Sequence, residues 1–252
     1  MSKAATAILV AGVVCVSACS PTTSTHSHAT PISSPTTESA ATPKPPSTLS
    51  PTPATNTVAA SGMFGNPIAA AEYWQAQSLE DNCGLVSVAD VVGEITGRAP
   101  TEQQVLALAL HTPSGTNPGP IYAPVNDPSH ANGNGGIEMA DEVVLLEHYG
   151  IKSVMTDATT HPDRTGLPAL ERYLTDNRKI IAWVNSAVIW NTSDQRTAAD
   201  HFLVVTGIDT DTEIVHLNDP GADHADEQVS IATFTAAWQP GGDSIVVTSA
   251  AA

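Results

Sequence analysis

The sequence contains little cysteine, few basic residues and few aromatic side chains. Its 252 residues include three cysteines, nine lysines and arginines against 26 acidic residues, and 4% aromatics. Two of the cysteines, Cys15 and Cys19, lie in the first 19 residues, so a small domain held together by disulfides is excluded. The net charge of −17 argues against nucleic acid as a partner and against binding of anionic lipid through the folded surface.

Residues 1–18 have the pattern of a bacterial lipoprotein signal peptide. Lys3 supplies a positive charge, and the apolar run 4–16 is too short to span a membrane. The run ends in Val16-Ser-Ala-Cys19, which resembles a lipobox. The resemblance implies cleavage before Cys19 and lipidation of its thiol, anchoring the protein to the outer face of the cell membrane in the envelope. The alternative is an ordinary secretory signal with a chance cysteine.

A linker and one domain are predicted to follow. Residues 19–60 begin with Cys19 and are then dominated by Ser, Thr, Pro and Ala with no apolar period. Such a segment buries too little surface to offset its ordering entropy, and its prolines keep it extended. Residues 61–252 are long enough for a single domain with a substantial core.

The domain is predicted to be α+β, with helices first and a mostly antiparallel sheet after them. In the first helix, Leu85, Val88, Val92 and Ile95 form a buried stripe, Asp81 or Asn82 caps the start, and Gly97 ends it. The predicted helices are 81–96, a second beginning with a capping box at Thr101 to Gln104, 137–149, 167–175 and 233–238. The predicted strands are 151–155, 179–184, 202–208, 213–217, 229–231 and 244–248.

Cys83 is the candidate nucleophile of this domain. Removal of the leader and lipidation of Cys19 leave it as the free thiol, at the predicted start of a helix. Free amide N–H groups and the helix dipole there favour a thiolate. Gln77 lies six residues earlier, and its amide together with the Cys83 N–H could stabilise an oxyanion. No cofactor is predicted, and the histidines lack the spacing of metal ligands, so no metal site is expected.

A cysteine nucleophile needs a base, and His201 at the entry to a predicted hairpin is the candidate. A loop centred on Thr210 places His201 opposite Asp219, whereas a two-residue loop shifts the register by one and turns Asn218 toward the imidazole. Apolar pairing fits both registers, so either Asp219 or Asn218 could orient the histidine.

Four motifs in this order resemble the papain-like cysteine peptidases, most closely the double-glycine (bacteriocin-processing) peptidase-like family. They are Gln77-x5-Cys83-Gly84, Asp200-His201-Phe-Leu-Val-Val-Thr-Gly207, Asn218-Asp219-Pro220 and Phe234-x3-Trp238. The resemblance implies a papain-like fold with Cys83 as nucleophile, His201 as base, Asp219 as the group that orients it and Gln77 as oxyanion donor. It thereby favours Asp219 over Asn218.

The chain is therefore predicted to be an envelope lipoprotein with a Cys-His-Asp thiol hydrolase domain that cleaves peptide or related amide bonds. Trp190 and Gly84 are candidates for lining the substrate cleft, and the Gly-, Pro- and Asn-rich segment 112–136 could shape it. Two alternatives are an acyl or γ-glutamyl transferase with the same three residues, and an inactive lipoprotein that binds peptides or a partner.

Overall fold

A computed structural model describes residues 62–124 and 136–250 of the protein. The predicted signal peptide 1–18 and linker 19–60 lie outside the described residues. Within the described part, helices are concentrated in the first half and strands in the second. The helices are α1 Pro67–Ala70, α2 Cys83–Thr96, α3 Glu102–His111, α4 Met139–His148, α5 Leu167–Thr175, α6 Ser186–Ile189 and α7 Ile231–Trp238. The strands are β1 Met63–Gly65, β2 Ser153–Thr156, β3 Ile180–Val184, β4 His201–Asp209, β5 Ile214–Asn218, β6 Glu227–Ser230 and β7 Ile245–Thr248.

The described strands form one sheet in the order β2-β7-β3-β4-β5-β6, with β1 also paired to β4. Every pairing between these strands is antiparallel. One core packs α2, α3 and α4 against a face of the sheet, and a second core packs α5 and α7 against the opposite face. The prediction of helices packed on an antiparallel sheet is therefore confirmed, with helices on both faces.

Most local predictions from the sequence agree with the structure. The bounds of α5 are those predicted, Gly97 ends α2 with a φ of 75°, and the capping box at Thr101 and Gln104 is present. Three short elements were not predicted, namely β1, α1 and α6. Ile95 was wrongly placed in the buried stripe of α2, because its side chain is exposed at the last turn.

Both predicted registers of the β4–β5 hairpin are wrong. The strands pair Val204 with Asn218 and Val205 with Leu217, and a bulge then shifts the register before Gly207. If the same register is extended by one residue beyond the Val204–Asn218 pair, Asp219 lies opposite Leu203 and not opposite His201. His201 is thus a diagonal neighbour of Asp219, on the same face and two residues from direct opposition.

The tight contact between β1 and β4 makes a specific stability prediction. Gly65 has a φ of +85°, and a Cβ built there would lie 2.3 Å from the Thr206 carbonyl oxygen. We expect Gly65→Ala to lower the free energy of unfolding by about 3 kcal/mol or more, since backbone strain and a clash with backbone add. Gly97→Ala is the control: its φ is +75° but the space around it is open, so a loss of about 1–2 kcal/mol is expected. If urea unfolding shows the same loss of unfolding free energy for Gly65→Ala and Gly97→Ala, the predicted clash at Gly65 is wrong.

None of the helices in the part of the chain described here is long and apolar enough to cross a membrane.

Candidate active site

The first residue of α2 is Cys83, whose thiol is free and buried. Asn82 occupies the N-cap position, but its side chain makes no capping hydrogen bond, so the predicted side-chain cap is wrong. The amides of the first turn have no partners within the helix, which leaves the Cys83 N–H available to an anion. The structure therefore places the thiol where the sequence predicted it, in the first turn of a helix.

His201 and Asp219 meet next to Cys83. The imidazole Nε2–H of His201 donates to Asp219 Oδ1 at 2.6 Å, and both side chains are buried. The other ring nitrogen, Nδ1, is left to interact with the sulfur of Cys83, whose side chain interacts with the imidazole. The predicted cysteine, histidine and aspartate are thus brought together, although the hairpin register differs from the predicted ones.

Asn218, the alternative group for orienting the histidine, lies elsewhere. It is paired with Val204, whose side chain packs on the α2 side of the sheet, so its side chain is on the face opposite to that of His201. Its amide donates to the Ala70 carbonyl at 2.9 Å and to Asp90 at 2.8 Å. The structure therefore excludes Asn218 as a partner of the imidazole.

The charge of His201 follows from its neighbours. Burial disfavours the imidazolium, but the hydrogen bond to Asp219 and the interaction with Cys83 outweigh it and raise the pKa of His201 to about 10. Burial likewise opposes ionisation of Asp219, yet the hydrogen bond and charge of His201 lower the pKa of this carboxyl below its ordinary value. At neutral pH the pair is therefore imidazolium and carboxylate, and an imidazolium next to a thiol favours the thiolate.

Three further donors hold Asp219 in place, and sequence reasoning missed all three contacts. The Trp190 indole donates to Oδ2 at 3.0 Å, the Gly221 N–H donates to Oδ1 at 2.6 Å, and the Trp74 indole donates to the backbone carbonyl at 2.6 Å. The Trp190 ring also lies 5.0 Å from the imidazole of His201, centre to centre. Trp190 therefore lines the cleft and contacts both members of the His201–Asp219 pair, and its role in binding substrate stays a prediction.

Gln77 lines the same cleft as Cys83. Its backbone N–H donates to the Pro220 carbonyl at 2.8 Å, which ties it to the segment that carries Asp219. One hydrogen of its side-chain amide is donated to the Leu79 carbonyl at 2.7 Å. An amide nitrogen carries two hydrogens, so one remains for an oxyanion, and the role of Gln77 as oxyanion donor stays a prediction.

Glu102 anchors the segment that leads into Cys83. Its carboxylate accepts hydrogen bonds from the Ser78 N–H and hydroxyl, both at 2.7 Å, and from the Asn82 amide at 2.5 Å. Burial opposes its ionisation, but these donors lower the pKa of the Glu102 carboxyl. The capping-box pattern at Thr101 identified Glu102 only as part of the start of α3. No signal in the sequence indicated that Ser78 and Asn82 would donate hydrogen bonds to it.

The cleft has a volume of about 770 Å³ and is lined by both apolar and acidic side chains. Gly84 is part of the lining, and a Cβ there would lie 2.7 Å from the Ile137 side chain. The apolar lining residues include Ile137, Met139, Met155, Trp183 and Phe202. Apart from His201, the ionisable lining residues are Glu80, Asp81, Glu138, Asp200 and Arg196, and Arg196 is paired with Asp200 and Asp194.

Segment 112–136 reaches this cleft at its described C-terminal end, where Gly136 is part of the lining. Tyr122 donates its hydroxyl to Asp81 at 2.8 Å, and Ala123 bridges to Gly136, which lines the cleft. Before them, Ser114 and the N–H of Gly115 bind the buried carboxylate of Asp141 at 2.5 and 2.9 Å. The described residues of this segment thus contribute Gly136 to the cleft, and the expectation that the segment as a whole shapes it stays a prediction.

Glu142 is an unexpected ionisable group behind the nucleophile. It lies on α4, its side chain is fully buried, and neither carboxyl oxygen has a hydrogen-bond partner in the described structure. A Cβ on Gly84 would lie 3.0 Å from Oε1. Burial, and then the charge of Cys83, raise the pKa of Glu142 well above its ordinary value, which favours the neutral form of this carboxyl.

This neutral carboxyl makes the stability of the protein pH-dependent. Because the pKa of Glu142 is higher in the folded than in the unfolded state, its contribution is present below the unfolded value of 4.5 and is lost as pH rises through the folded pKa. In this range the unfolding free energy of the wild type should fall by about 1.4 kcal/mol for each unit of pH because of Glu142. We expect Glu142→Gln to lack this fall, because its amide does not ionise. Urea unfolding at pH 5 and pH 8 measures it, with Glu147→Gln on the exposed side of α4 as control. Parallel losses in the wild type and Glu142→Gln would contradict this role.

Within residues 62–124 and 136–250, no group of three or more His, Cys, Asp or Glu side chains is placed to hold a metal ion.

Comparisons with known proteins identify relatives in sequence and in structure. Three curated relatives, uncharacterized proteins of Mycobacterium tuberculosis (two strains) and Mycobacterium bovis, are 42% identical over 201 residues, covering 76% of this chain and 86% of theirs. Among solved structures, one described as a C39-like peptidase from Bacillus anthracis has a TM-score of 0.49 at 18% identity, covering 74% of this chain and 97% of that one. The peptidase domain of Streptococcus ComA, a bifunctional ABC transporter, has a TM-score of 0.41 at 15% identity, covering 70% and 98%.

The model of the Peptidase_C39-like family matches residues 15–246, which is nearly the whole chain. The helices and the antiparallel sheet described above have the papain-like α+β architecture predicted from the sequence. With a match of this extent, the chain belongs to the Peptidase_C39-like family.

Proposed function

We propose that this domain is a cysteine peptidase of the cell envelope that hydrolyses peptide or related amide bonds. The observation that supports the proposal most strongly is the buried His201–Asp219 pair beside the Cys83 thiol at a helix N-terminus, open to a cleft of about 770 Å³. A thiolate, an imidazolium and free amide donors are the groups that acyl transfer to sulfur requires.

The proposed reaction has two steps. The Cys83 thiolate attacks the substrate carbonyl carbon, while the Cys83 N–H and the Gln77 amide stabilise the oxyanion. The C–N bond then breaks, and the His201 imidazolium gives its proton to the leaving amine, which leaves a thioester on Cys83. In the second step His201 takes a proton from water, the resulting hydroxide attacks the thioester, and the acid is released with the thiolate restored. Asp219 holds the imidazole in the required orientation throughout.

The test is incubation of the protein with a diverse peptide pool and identification of products by mass. We expect new peptide ends from the wild type and none from Cys83→Ala, which removes the sulfur and little volume. Adding a thiol peptide such as glutathione separates hydrolysis from acyl transfer, because transfer adds the mass of the acceptor. Binding of peptides without any mass change in the wild type would contradict the hydrolase and favour a binding lipoprotein.

We also propose that Cys19 carries lipid and holds the domain at the membrane surface. The support is the lipobox-like sequence and the apolar run before it, both outside the described residues. Cys19→Ala is expected to move the protein from the membrane fraction to the soluble fraction. Mass measurement of the N-terminal peptide would show a diacylglyceryl modification in the wild type. An unmodified Cys19 would contradict the anchor.

A further inference from the structure

Three titratable side chains lie in a diagonal line across neighbouring strands of the sheet. Glu227 on β6 is paired with Leu217 on β5, and Asp219 is two residues beyond Leu217. Because paired residues and alternate residues share a face, Glu227 and Asp219 are diagonal neighbours on one face. His201 on β4 is the diagonal neighbour of Asp219 on that same face, so the line runs Glu227, Asp219, His201 and then to the sulfur of Cys83.

The Glu227 carboxyl is close to Asp219 and poorly solvated. Its Oε2 is buried and has no hydrogen-bond partner among the described residues, and its side chain interacts directly with that of Asp219. The Asp219 carboxylate has room for another donor, since Oδ1 accepts from His201 and Gly221, and within the described part of the chain Oδ2 accepts only from Trp190. A protonated Glu227 is such a donor, whereas an ionised Glu227 would repel Asp219.

The surroundings of Glu227 favour its protonated form up to neutral pH. Burial and then the charge of Asp219 raise the pKa of Glu227 to about 7, while the charges of His224 and His201 oppose the increase. On β5, His216 is hydrogen-bonded to Asp226 at 2.7 Å. The exposed Asp223 is bonded to His224, and α7 contributes no ionisable side chain.

We propose that Glu227 is a positioning residue for the catalytic pair, which in its protonated form hydrogen-bonds Asp219 and holds that carboxylate against His201. Ionisation of Glu227 removes this donor and adds a negative charge near the imidazolium. The imidazolium then becomes a weaker acid toward the leaving amine, so hydrolysis slows as the pH rises through neutrality. This role rests on the proposed peptidase function, and it adds Glu227 as a fourth residue to Cys83, His201 and Asp219.

The kinetic test is the pH dependence of kcat/KM on a cleaved peptide. We expect the wild-type value to fall on the order of tenfold between pH 6 and pH 8, and Glu227→Gln to keep the value of the wild type at pH 6 throughout, because an amide donates without ionising. Glu227→Leu should be slower than Glu227→Gln at every pH through a lower kcat, since it offers no donor. Glu213→Gln, exposed in the β4–β5 turn, should behave as the wild type.

A measurement that needs no activity separates this proposal from the proposed function. We expect the ring NMR signal of His201, assigned by its loss in His201→Gln, to show a titration step near pH 7 in the wild type and no such step in Glu227→Gln. A step that is missing in the wild type, or retained in Glu227→Gln, overturns the role of Glu227 even if peptides are cleaved. A step that Glu227→Gln removes supports the coupling even if no peptide is hydrolysed, and the peptidase function alone then fails.

Discussion

Replacing His201 by alanine is expected to slow alkylation of Cys83 at pH 6 by on the order of 100-fold. The interactions with Asp219 and Cys83 raise the pKa of His201 to about 10, so in the wild type an imidazolium faces the sulfur over the whole neutral range. An imidazolium next to the sulfur stabilises negative charge on it, and the thiolate is the form that iodoacetamide alkylates. Without the imidazolium, Cys83 loses this stabilisation.

The measurement is the rate of iodoacetamide labelling between pH 5 and pH 10, followed by the mass of the peptide that contains Cys83. The wild-type rate should exceed the His201→Ala rate most at the acidic end of this range, where formation of the thiolate depends most on the neighbouring cation. His161→Ala, at an exposed histidine far along the chain, is the control, and His201→Gln keeps more of the side-chain volume if the alanine variant folds poorly. A wild-type rate that rises only above pH 8 would contradict the ion pair.

The local signals in the sequence were strong enough to predict most of the fold. Gly97, Thr101 and Gln104 are terminal signals whose effect depends on a few neighbouring residues, and they act as predicted. The spacing of Leu85, Val88 and Val92 likewise defines one buried face, since a helix repeats every 3.6 residues. These local patterns predicted a helix over 81–96 with Cys83 in its first turn, and in the structure α2 begins two residues later, at Cys83 itself.

The register of the β4–β5 hairpin could not be obtained in this way. Val204, Val205, Val215 and Leu217 give apolar pairs in several registers, so burial alone does not distinguish them. The bulge before Gly207 shifts the register once more, and no turn residue in the sequence indicates this shift. The family resemblance predicted that Asp219 orients His201. In the structure the two residues are hydrogen-bonded as diagonal neighbours on adjacent strands and not as directly paired residues.

Contacts between distant segments were missed for a related reason. Trp74 and Trp190 donate to Asp219 from positions 145 and 29 residues away in the sequence. The sequence around a tryptophan does not indicate which acceptor its indole N–H will bind. Asp141 and Glu142 were missed because two adjacent acids on a helix are ordinarily exposed, yet both are fully buried here. One is satisfied by the loop at Ser114 and the other faces the nucleophile, which only the tertiary packing decides.

Replacing Asp219 by asparagine is expected to reduce kcat/KM on the order of 100-fold with little loss of folded protein. The wild-type carboxylate accepts from three N–H donors at its two oxygens: His201 and Gly221 at Oδ1 and Trp190 at Oδ2. Asparagine has one acceptor oxygen, so its amide hydrogens must face either the Trp190 indole or the imidazole N–H. In both orientations a donor meets a donor, and the negative charge that supports the imidazolium is gone.

The two orientations give different results, which makes the variant informative. If the amide turns toward Trp190, His201 keeps its orientation but loses the charge of Asp219, so its pKa falls and Cys83 alkylation at pH 6 slows together with hydrolysis. Trp190→Phe, which removes the indole N–H and retains an aromatic ring, should then restore part of the activity of Asp219→Asn, because it removes the opposing donor. Rates for Asp219→Asn within twofold of the wild type in both assays would show that the carboxylate does not support His201, and the proposed Cys83–His201–Asp219 mechanism would be wrong.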